Sequence, residues 1–250
     1  MEFKRVADIK RLQFILKTLN SNLLPQAVVL DVGCGNGVIS RSLGEAGYNV
    51  YGIDVSEKAI TKARQLNKFP NVRFDVISAE QLIAEGKKYD AIICSEVLEH
   101  LSRPADLLIT LYQSLTDAGV LIVTVPNGMG PRELFVTRPA IWLQKKDNFI
   151  WHGLLKLKRL LGYKGTTVQS DASDLTHIQF FTRRSLHSLA GLNNFKIIQF
   201  GKTNFIEDVF PFSLLGKRLI FLQKMDCAIA EILPYRCTGG FVTVWKKNSS

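Results

Sequence analysis

The sequence lacks the features that would place the protein in an oxidising compartment or across a membrane. Its four cysteines, Cys34, Cys94, Cys227 and Cys237, include no CxxC pair, so they indicate neither a disulfide framework nor a metal site. No run approaches the roughly 18 apolar residues of a membrane span, and the first residues are charged rather than apolar. These absences predict a cytoplasmic protein that does not cross a bilayer, and they leave contact with a membrane surface open.

The charge of the chain is unevenly distributed. The net charge is +10, which alone would suggest a nucleic-acid partner. Residues 1–26 carry 5 basic and 2 acidic side chains, residues 27–130 carry 9 and 12, and residues 131–250 carry 18 and 8. The acidic middle therefore predicts a core that binds a small ligand, and the basic part that follows predicts contact with a different partner.

The chain from residue 27 onward alternates short β-branched runs with segments of helical period, the pattern of a parallel sheet with crossover helices. The predicted strands are 27–31, 49–53, 72–76, 90–94, 120–125, 196–200 and 240–245. The predicted helices are an amphipathic opening helix over 6–19, then 38–46, 56–67, 104–115, 183–190 and an apolar run at 212–232. The fold class is therefore α/β, with an opening helix over the core.

The regular alternation divides the chain into four parts. We predict an N-terminal helix or lid at 1–26, a ligand-binding core at 27–127, a basic aromatic insertion at 128–180, and a C-terminal part of the core at 181–250. The last part contains a helical insertion at 201–239.

The most specific local signal is the loop that follows the first strand. Residues 31–37 read Asp-Val-Gly-Cys-Gly-Asn-Gly, and such glycines allow a tight turn and close approach of the backbone to a ligand. A dinucleotide fingerprint would need another glycine at Val38. Asp54 ends the second strand 17 residues after Gly37, about where an acid meets ribose hydroxyls. The pattern predicts a nucleoside ligand other than NAD.

These residues resemble the motifs of class I S-adenosylmethionine-dependent methyltransferases. The loop at 31–37 is similar to the first motif of that family, and Asp54 matches its ribose-binding acid. Residues 89–101 look like its fourth strand with the loop under the methionine part of the cofactor, and residues 117–127 look like its fifth strand. The resemblance implies a Rossmann-like sheet of seven mostly parallel strands, S-adenosylmethionine as cofactor and S-adenosylhomocysteine as product.

The resemblance also implies which residues surround the cofactor. The glycines shape the loop with Asp31 in support, Asp54 takes the ribose hydroxyls, and Ser95 and Glu96 border the methionine part. Adenine is held by the Ser78 side chain, the Ala79 backbone or Glu80, which stand where the family often has an aspartate. The full predicted set is Asp31, Gly33, Cys34, Gly35, Gly37, Asp54, Val55, Ser78, Ala79, Glu80, Ser95 and Glu96.

A closer resemblance is to the ubiquinone-biosynthesis O-methyltransferases. It is carried by residues 94–100 and by Thr176-His177 followed by Phe180-Phe181-Thr182 and a helix. The long basic insertion departs from that branch. The implied acceptor is a hydroxyl of a small-molecule, lipid-linked or glycan-linked compound.

One histidine is a candidate general base. Removing a proton from a hydroxyl near pH 7 suits a neutral imidazole, and His177 lies where the insertion returns to the core. The alternative is that His177 caps or hydrogen-bonds the following helix. His152 is a weaker candidate for the base, and His187 is expected to be structural.

Glu96, Glu99 and His100 are candidate ligands of a metal ion. Their spacing would put them on one face if they were helical, where they could hold Mg²⁺. Some relatives use similar clusters in that way, whereas in the larger family the cluster is structural. We predict no metal there.

The basic aromatic residues at 132–164 allow three interpretations. They form a cap with a solvated cationic face, they rest on an anionic membrane, or they bind RNA through stacking and phosphate contacts. The membrane reading is favoured by Leu214, Leu215 and the run 219–222, flanked by Lys217, Arg218 and Lys224. An RNA methyltransferase is the alternative function.

Overall fold

The computed structural model describes residues 3, 5–79, 81, 86–139, 178–207, 209 and 219–248. Its strands are β1 Val28–Val32, β2 Asn49–Asp54, β3 Val72–Val76, β4 Tyr89–Ser95, β5 Leu115–Pro126, β6 Phe195–Lys202 and β7 Gly240–Lys247. Its helices are α1 Val6–Asn22, α2 Val38–Glu45, α3 Glu57–Leu66, α4 Pro104–Ser114, α5 Arg183–Leu192 and α6 Ile220–Ile232. Short turns of other helical types lie at Leu98–His100, Glu133–Thr137 and Tyr235–Cys237.

The strands form one sheet in the order β3-β2-β1-β4-β5-β7-β6. The pairs among the first five strands are parallel, and β7 runs antiparallel to both β5 and β6. The predicted seven-stranded Rossmann-like fold is confirmed. Buried apolar side chains form separate clusters, because successive strand residues point to opposite faces of the sheet. Leu30 packs on the face with α4 and α5, and Val29 packs on the face with α1, α2 and α3.

The predicted element boundaries hold to within a few residues, with one larger difference. Strand β5 begins at Leu115, directly after α4 ends, instead of at residue 120. The early start pairs Leu115 with Tyr89, and the register shifts between Tyr89 and Ala91. Ser56 caps α3 by accepting a hydrogen bond from the Ala59 amide, and Pro104 occupies the first turn of α4, as expected.

The opening helix packs against the sheet. Leu12, Ile15 and Leu19 of α1 are buried in the same cluster as Val29 and Val242. At the other end of the chain, α6 begins at Ile220; residues 210–218, which include the start of the predicted run at 212–232, lie outside the described residues. Among the helices that the structure describes, none is long and apolar enough to cross a membrane. All four cysteines are free.

Candidate active site

The strand order creates a crevice at the carboxyl ends of β1 and β4. Strand β1 lies between β2 and β4: the chain continues from β1 through β2 to β3 on one side, and from β3 it returns to β4 on the other side. In open α/β sheets, ligands bind at such a switch point. The crevice therefore lies between the loop after β1 and the loop after β4, which the sequence had predicted to meet a cofactor.

The glycine loop after β1 needs a backbone that side chains disfavour. Gly33, Gly35 and Gly37 have φ values of +66°, +55° and +78°, in the left-handed region that glycine enters without strain. A Cβ atom on Gly33 would lie 2.5 Å from Cγ2 of Val97, and one on Gly37 would lie 2.5 Å from Cζ of Phe74. The local conformation and the close packing both explain the glycines at these positions.

The carboxylate of Asp54 joins the end of β2 to this loop. Its Oδ2 accepts a hydrogen bond from the Gly35 amide at 2.9 Å, and its Oδ1 accepts one from the Ser56 amide at 2.8 Å. The Cys34 amide donates to the Ile53 carbonyl at 3.0 Å, which fixes the loop against the same strand end. Next to Asp54, the Val55 side chain is 75% exposed. Sequence reasoning had placed these residues in one site, and the structure brings them together.

Asp31 lies beneath the loop rather than in the crevice. It is buried and accepts a hydrogen bond from the Ser40 hydroxyl at 2.5 Å. Burial raises the pKa of this carboxyl from 3.8 to about 7; the Ser40 hydrogen bond opposes the increase, and the charge of Asp54 adds to it. Asp31 thus links β1 to α2 under the glycines.

The residues after β3 form a turn at the edge of the crevice. The Ser78 amide donates to Oε1 of Gln81 at 2.8 Å, and the Gln81 amide donates to the Ser78 carbonyl at 3.2 Å. Ala79 is buried against the core. Glu80, the third residue considered for adenine, lies outside the described residues.

The loop after β4 holds a polar cluster at the other end of the crevice. The hydroxyls of Ser95 and Thr124 lie 2.8 Å apart, and the Thr124 hydroxyl contacts Oε1 of Glu96 at 2.9 Å. The Glu96 amide donates to the Thr124 carbonyl at 3.0 Å, with Glu96 held at a φ of +58°. Ser95 and Glu96 were predicted for this place. Thr124 was missed because it lies inside a strand that reads as core.

Arg11 of α1 reaches the same cluster and was also missed. Its Nη2 lies 3.6 Å from Oε1 of Glu96, and its Nη1 lies 3.8 Å from Oδ1 of Asp8. The guanidinium is largely buried, and its Nε has no hydrogen-bond acceptor among the described residues. A buried donor without an acceptor is costly, and none of the described residues supplies an acceptor for this nitrogen.

Glu96, Glu99 and His100 do not share a helical face, the arrangement in which their spacing would have suited a metal ion. Glu96 has a left-handed backbone, and only residues 98–100 form a tight 3₁₀ turn. Nowhere in the described part of the chain do three His, Cys, Asp or Glu side chains come close enough to hold a metal ion.

Glu99 is a buried carboxyl group directly below the cluster. It is 1% exposed, and neither carboxyl oxygen has a hydrogen-bond donor among the described residues. Burial raises its pKa well above the ordinary value, helped by the charges of Glu96 and Glu133 and opposed by Arg11. Burial therefore favours the neutral form of this carboxyl group over the charged form.

The segment that precedes α5 is hydrogen-bonded to the loop after β4 and to the segment that follows β5. The amides of Ile178 and Gln179 donate to the Glu99 carbonyl at 2.8 and 3.0 Å, and the Gly128 amide donates to the Phe181 carbonyl at 2.7 Å. The predicted base His177 and the weaker candidate His152 lie outside the described residues, as do all of residues 140–177 of the basic insertion. Exposed apolar side chains on these two segments are Met129, Leu134, Phe135 and Ile178.

Comparison with known protein families gives a match for most of the chain, including the glycine loop and the acid that ends β2. A model described as "Methyltransferase domain" matches residues 4–200, which is more than half of the chain. The chain belongs to this family. The methyltransferase domain thus includes α1 with Arg11, the whole crevice and the strands up to β6.

Curated relatives include ubiquinone biosynthesis O-methyltransferases. That of Pseudomonas fluorescens strain Pf0-1 is 32% identical over 149 residues, which cover 58% of this chain and 63% of the relative. That of Aromatoleum aromaticum is 34% identical over 148 residues, covering 58% and 62%. The match therefore spans less than two thirds of the length of these relatives.

Solved structures confirm the fold. Magnesium protoporphyrin IX methyltransferase from Synechocystis PCC 6803, solved with bound S-adenosylhomocysteine, is similar with a TM-score of 0.56 and 22% identity, covering 98% of this chain and 84% of that one. The 1,6-didemethyltoxoflavin N1-methyltransferase of Burkholderia thailandensis is similar with a TM-score of 0.57 and 15% identity, covering 98% and 80%. At these identities the likeness establishes the class I architecture.

Proposed function

We propose that the chain is an S-adenosylmethionine-dependent methyltransferase that methylates a hydroxyl of a small-molecule, lipid-linked or glycan-linked acceptor. One observation carries the cofactor assignment: the Asp54 carboxylate binds the amide of a left-handed glycine loop at the switch point of the sheet. Family membership and S-adenosylhomocysteine in the Synechocystis structure support the same cofactor.

The nucleoside half of the cofactor fits the residues beside β1 and β2. A carboxylate has about four lone-pair directions, and the Gly35 and Ser56 amides use one oxygen each, so Asp54 retains capacity for ribose hydroxyls. The exposed Val55 offers an apolar surface to a planar base. Ser78, Ala79 or Glu80 would contact the adenine edge.

The methionine half fits the polar cluster after β4. The buried Nε of Arg11 would donate to the amino-acid carboxylate, and the Glu96 carboxylate would accept from the ammonium group. Gly33 would keep the loop in place beside this part, because Val97 leaves no room for a side chain there. Ser95 borders the same end.

The residues of this chain have little covalent chemistry to perform. When bound, S-adenosylmethionine supplies a methyl group on a sulfonium that an acceptor oxygen can displace in line. The crevice orients the two groups and excludes water, which is the main source of acceleration for such a step. His177 would take the hydroxyl proton at its imidazole. Its chain neighbour Ile178 is bound to Glu99 under the crevice, which supports that role.

The acceptor class is supported by the names of the relatives and by exposed apolar side chains beside the crevice. The curated relatives are named as O-methyltransferases of ubiquinone biosynthesis. The exposed side chains of Met129, Leu134, Phe135 and Ile178 form an apolar surface beside the crevice, suited to an acceptor with an apolar part. An RNA acceptor would instead rest on residues 132–164, most of which lie outside the described part of the chain.

Labelled methyl transfer tests the proposal directly. The purified protein is incubated with tritium-labelled S-adenosylmethionine and separated lipid, RNA, protein and small-molecule extracts. We expect label in the lipid or small-molecule fraction, in a base-stable product typical of an ether. Label only in RNA or protein, or in no fraction, would overturn the acceptor assignment.

The role of His177 has its own test. His177→Gln should lower turnover while leaving S-adenosylhomocysteine affinity unchanged. His187→Gln is the matched control, because His187 stacks on Phe200 at 5.5 Å within the C-terminal part of the sheet. Equal turnover in both variants would remove His177 from the reaction.

A further inference from the structure

Helix α6 contacts the rest of the protein through its polar side. Its buried positions are Gln223, Asp226, Cys227 and Ala230. The Gln223 side chain accepts from the Val6 amide at 2.8 Å, and the Asp226 carboxylate accepts from the Phe205 and Ile206 amides at 2.8 Å each. Polar groups therefore anchor this helix to α1 and to the segment after β6.

The opposite side of α6 is apolar and exposed. Phe221, Met225, Ile229 and Ile232 follow one another at helical spacing and are 69%, 44%, 41% and 87% exposed. Leu219 and Ile220 extend this apolar face at the start of the helix, at 51% and 60%. An ordinary surface helix turns its apolar stripe inward. A contiguous exposed apolar surface marks an interaction site.

The charges around the apolar face are mainly positive. Lys224 lies within the helix and Arg236 lies in the turn that follows it, and both are exposed. The two acids of the helix are engaged elsewhere: Asp226 is buried, and Glu231 lies 2.6 Å from Nζ of Lys10. The face thus combines exposed apolar side chains with exposed cations, which is the composition of helices that lie in a membrane interface.

We propose that this apolar face of α6 docks on an anionic lipid bilayer, with its apolar side chains among the acyl chains and Lys224 and Arg236 at the phosphates. The alternative occupant is a second copy of the chain, which would bring like charges together. A helix of 13 residues is only about 20 Å long, so one face falls short of the roughly 800 Å² per partner of a stable interface. Binding to a bilayer has no such threshold, because apolar burial and cation attraction simply add.

Docking would place the crevice close to the membrane surface. The backbone carbonyl of Cys227 in α6 accepts a hydrogen bond from Lys10, the residue before Arg11 in α1. A single helix therefore separates the docked face from the cofactor end of the site. The inference goes beyond the proposed function and holds whether or not the acceptor is lipid-linked.

Vesicle co-sedimentation of the full chain tests the proposal. Vesicles containing phosphatidylglycerol are compared with vesicles of phosphatidylcholine alone. We expect binding to the first, at least tenfold weaker in the double variant Phe221→Ser with Ile229→Ser. Lys224→Gln should weaken binding about fivefold on the anionic vesicles only. The control is Ile109→Ser with Leu192→Ser, two exposed apolar residues on other helices.

The outcomes separate this proposal from the function. Thermal melting and S-adenosylhomocysteine titration of each variant show that fold and cofactor site are intact. No vesicle binding by the wild-type chain, or an equal loss in the control, would overturn the docking surface. A dimer in sedimentation velocity that the Phe221 and Ile229 substitutions abolish would assign the face to a second copy instead. A failed titration with retained vesicle binding would contradict only the proposed function.

Discussion

The glycine-loop edge of the sheet and the outer face of α6 use polar groups in opposite ways. At the edge, Asp31 accepts a hydrogen bond from the Ser40 side chain of α2, and Asp54 accepts one from the Gly35 amide of the loop, beside an open crevice. On α6, polar side chains hold the helix to the protein, and the apolar side is left outside. The first region is built to enclose a small polar ligand, and the second is built to meet a surface.

The largest effect on cofactor binding is expected at Gly33. Gly33→Ala should abolish measurable S-adenosylhomocysteine binding, because the new methyl group would lie 2.5 Å from Val97 at a φ of +66°. Gly47→Ala is a matched control, because Gly47 has a φ of +94° and a Cβ there would have no atom within 4 Å. This substitution should lower the free energy of unfolding only by the conformational cost of about 1–2 kcal/mol. Titration calorimetry and thermal melting measure both. Retained affinity in the Gly33 variant would contradict the close-approach argument.

These two regions were not equally predictable from the sequence. The loop from Asp31 to Gly37 and the acid Asp54 could be predicted because the glycine spacing and the acid that ends the next strand are both visible in short stretches of sequence. Arg11 could not, because its partner Glu96 is far away in the chain and α1 reads only as an amphipathic helix. The side of α6 that is buried is set by hydrogen bonds from distant backbone amides, of Val6 to Gln223 and of Phe205 to Asp226. The apolar run in the sequence therefore does not predict which side of the helix faces the protein.

The buried acid under the loop predicts a pH dependence. The pKa of Asp31 is raised from 3.8 to about 7, so between these values the folded chain holds a proton that the unfolded chain has released. The free energy of unfolding therefore falls as pH rises through this window, by at most about 1.4 kcal/mol per pH unit from this group. Asp31→Asn should flatten that decline in urea denaturation.

The control for this slope is Asp117→Asn. Lys247 lowers the pKa of Asp117, so its contribution has the opposite sign and is lost as the pH falls through the folded pKa. Removing it should leave the decline between pH 4 and 7 in place. An unchanged slope in Asp31→Asn would contradict a raised pKa at the buried site.

Arg11 tests whether α1 belongs to the cofactor region. Arg11→Gln should weaken S-adenosylhomocysteine binding about tenfold, the usual scale for one charge-assisted hydrogen bond. The control is Arg5→Gln. Arg5 directly precedes α1 and pairs with Glu207 at 3.3 Å, so its substitution should change the affinity for S-adenosylhomocysteine less than about twofold. Equal effects would mean that α1 acts through packing alone.

The smallest effect is expected on the outer face of α6. Phe221→Ser with Ile229→Ser should leave S-adenosylhomocysteine affinity within about twofold and change stability by about 0.5 kcal/mol per site or less, because both side chains are exposed. Thermal melting and calorimetry without lipid measure this. A large loss of stability would show that this face is packed in the free protein.

Calorimetric titration of S-adenosylhomocysteine into the wild-type chain and into Asp54→Asn tests the central claim most directly. Asp75→Asn is the control, because Asp75 lies on the adjacent strand opposite Ile53 and pairs with Arg64 at the surface. The account predicts binding by the wild type and by Asp75→Asn, and affinity about 10- to 100-fold lower in Asp54→Asn, where charge-assisted hydrogen bonds to the ribose are lost. No binding by the wild type, or equal affinity in all three proteins, would contradict it.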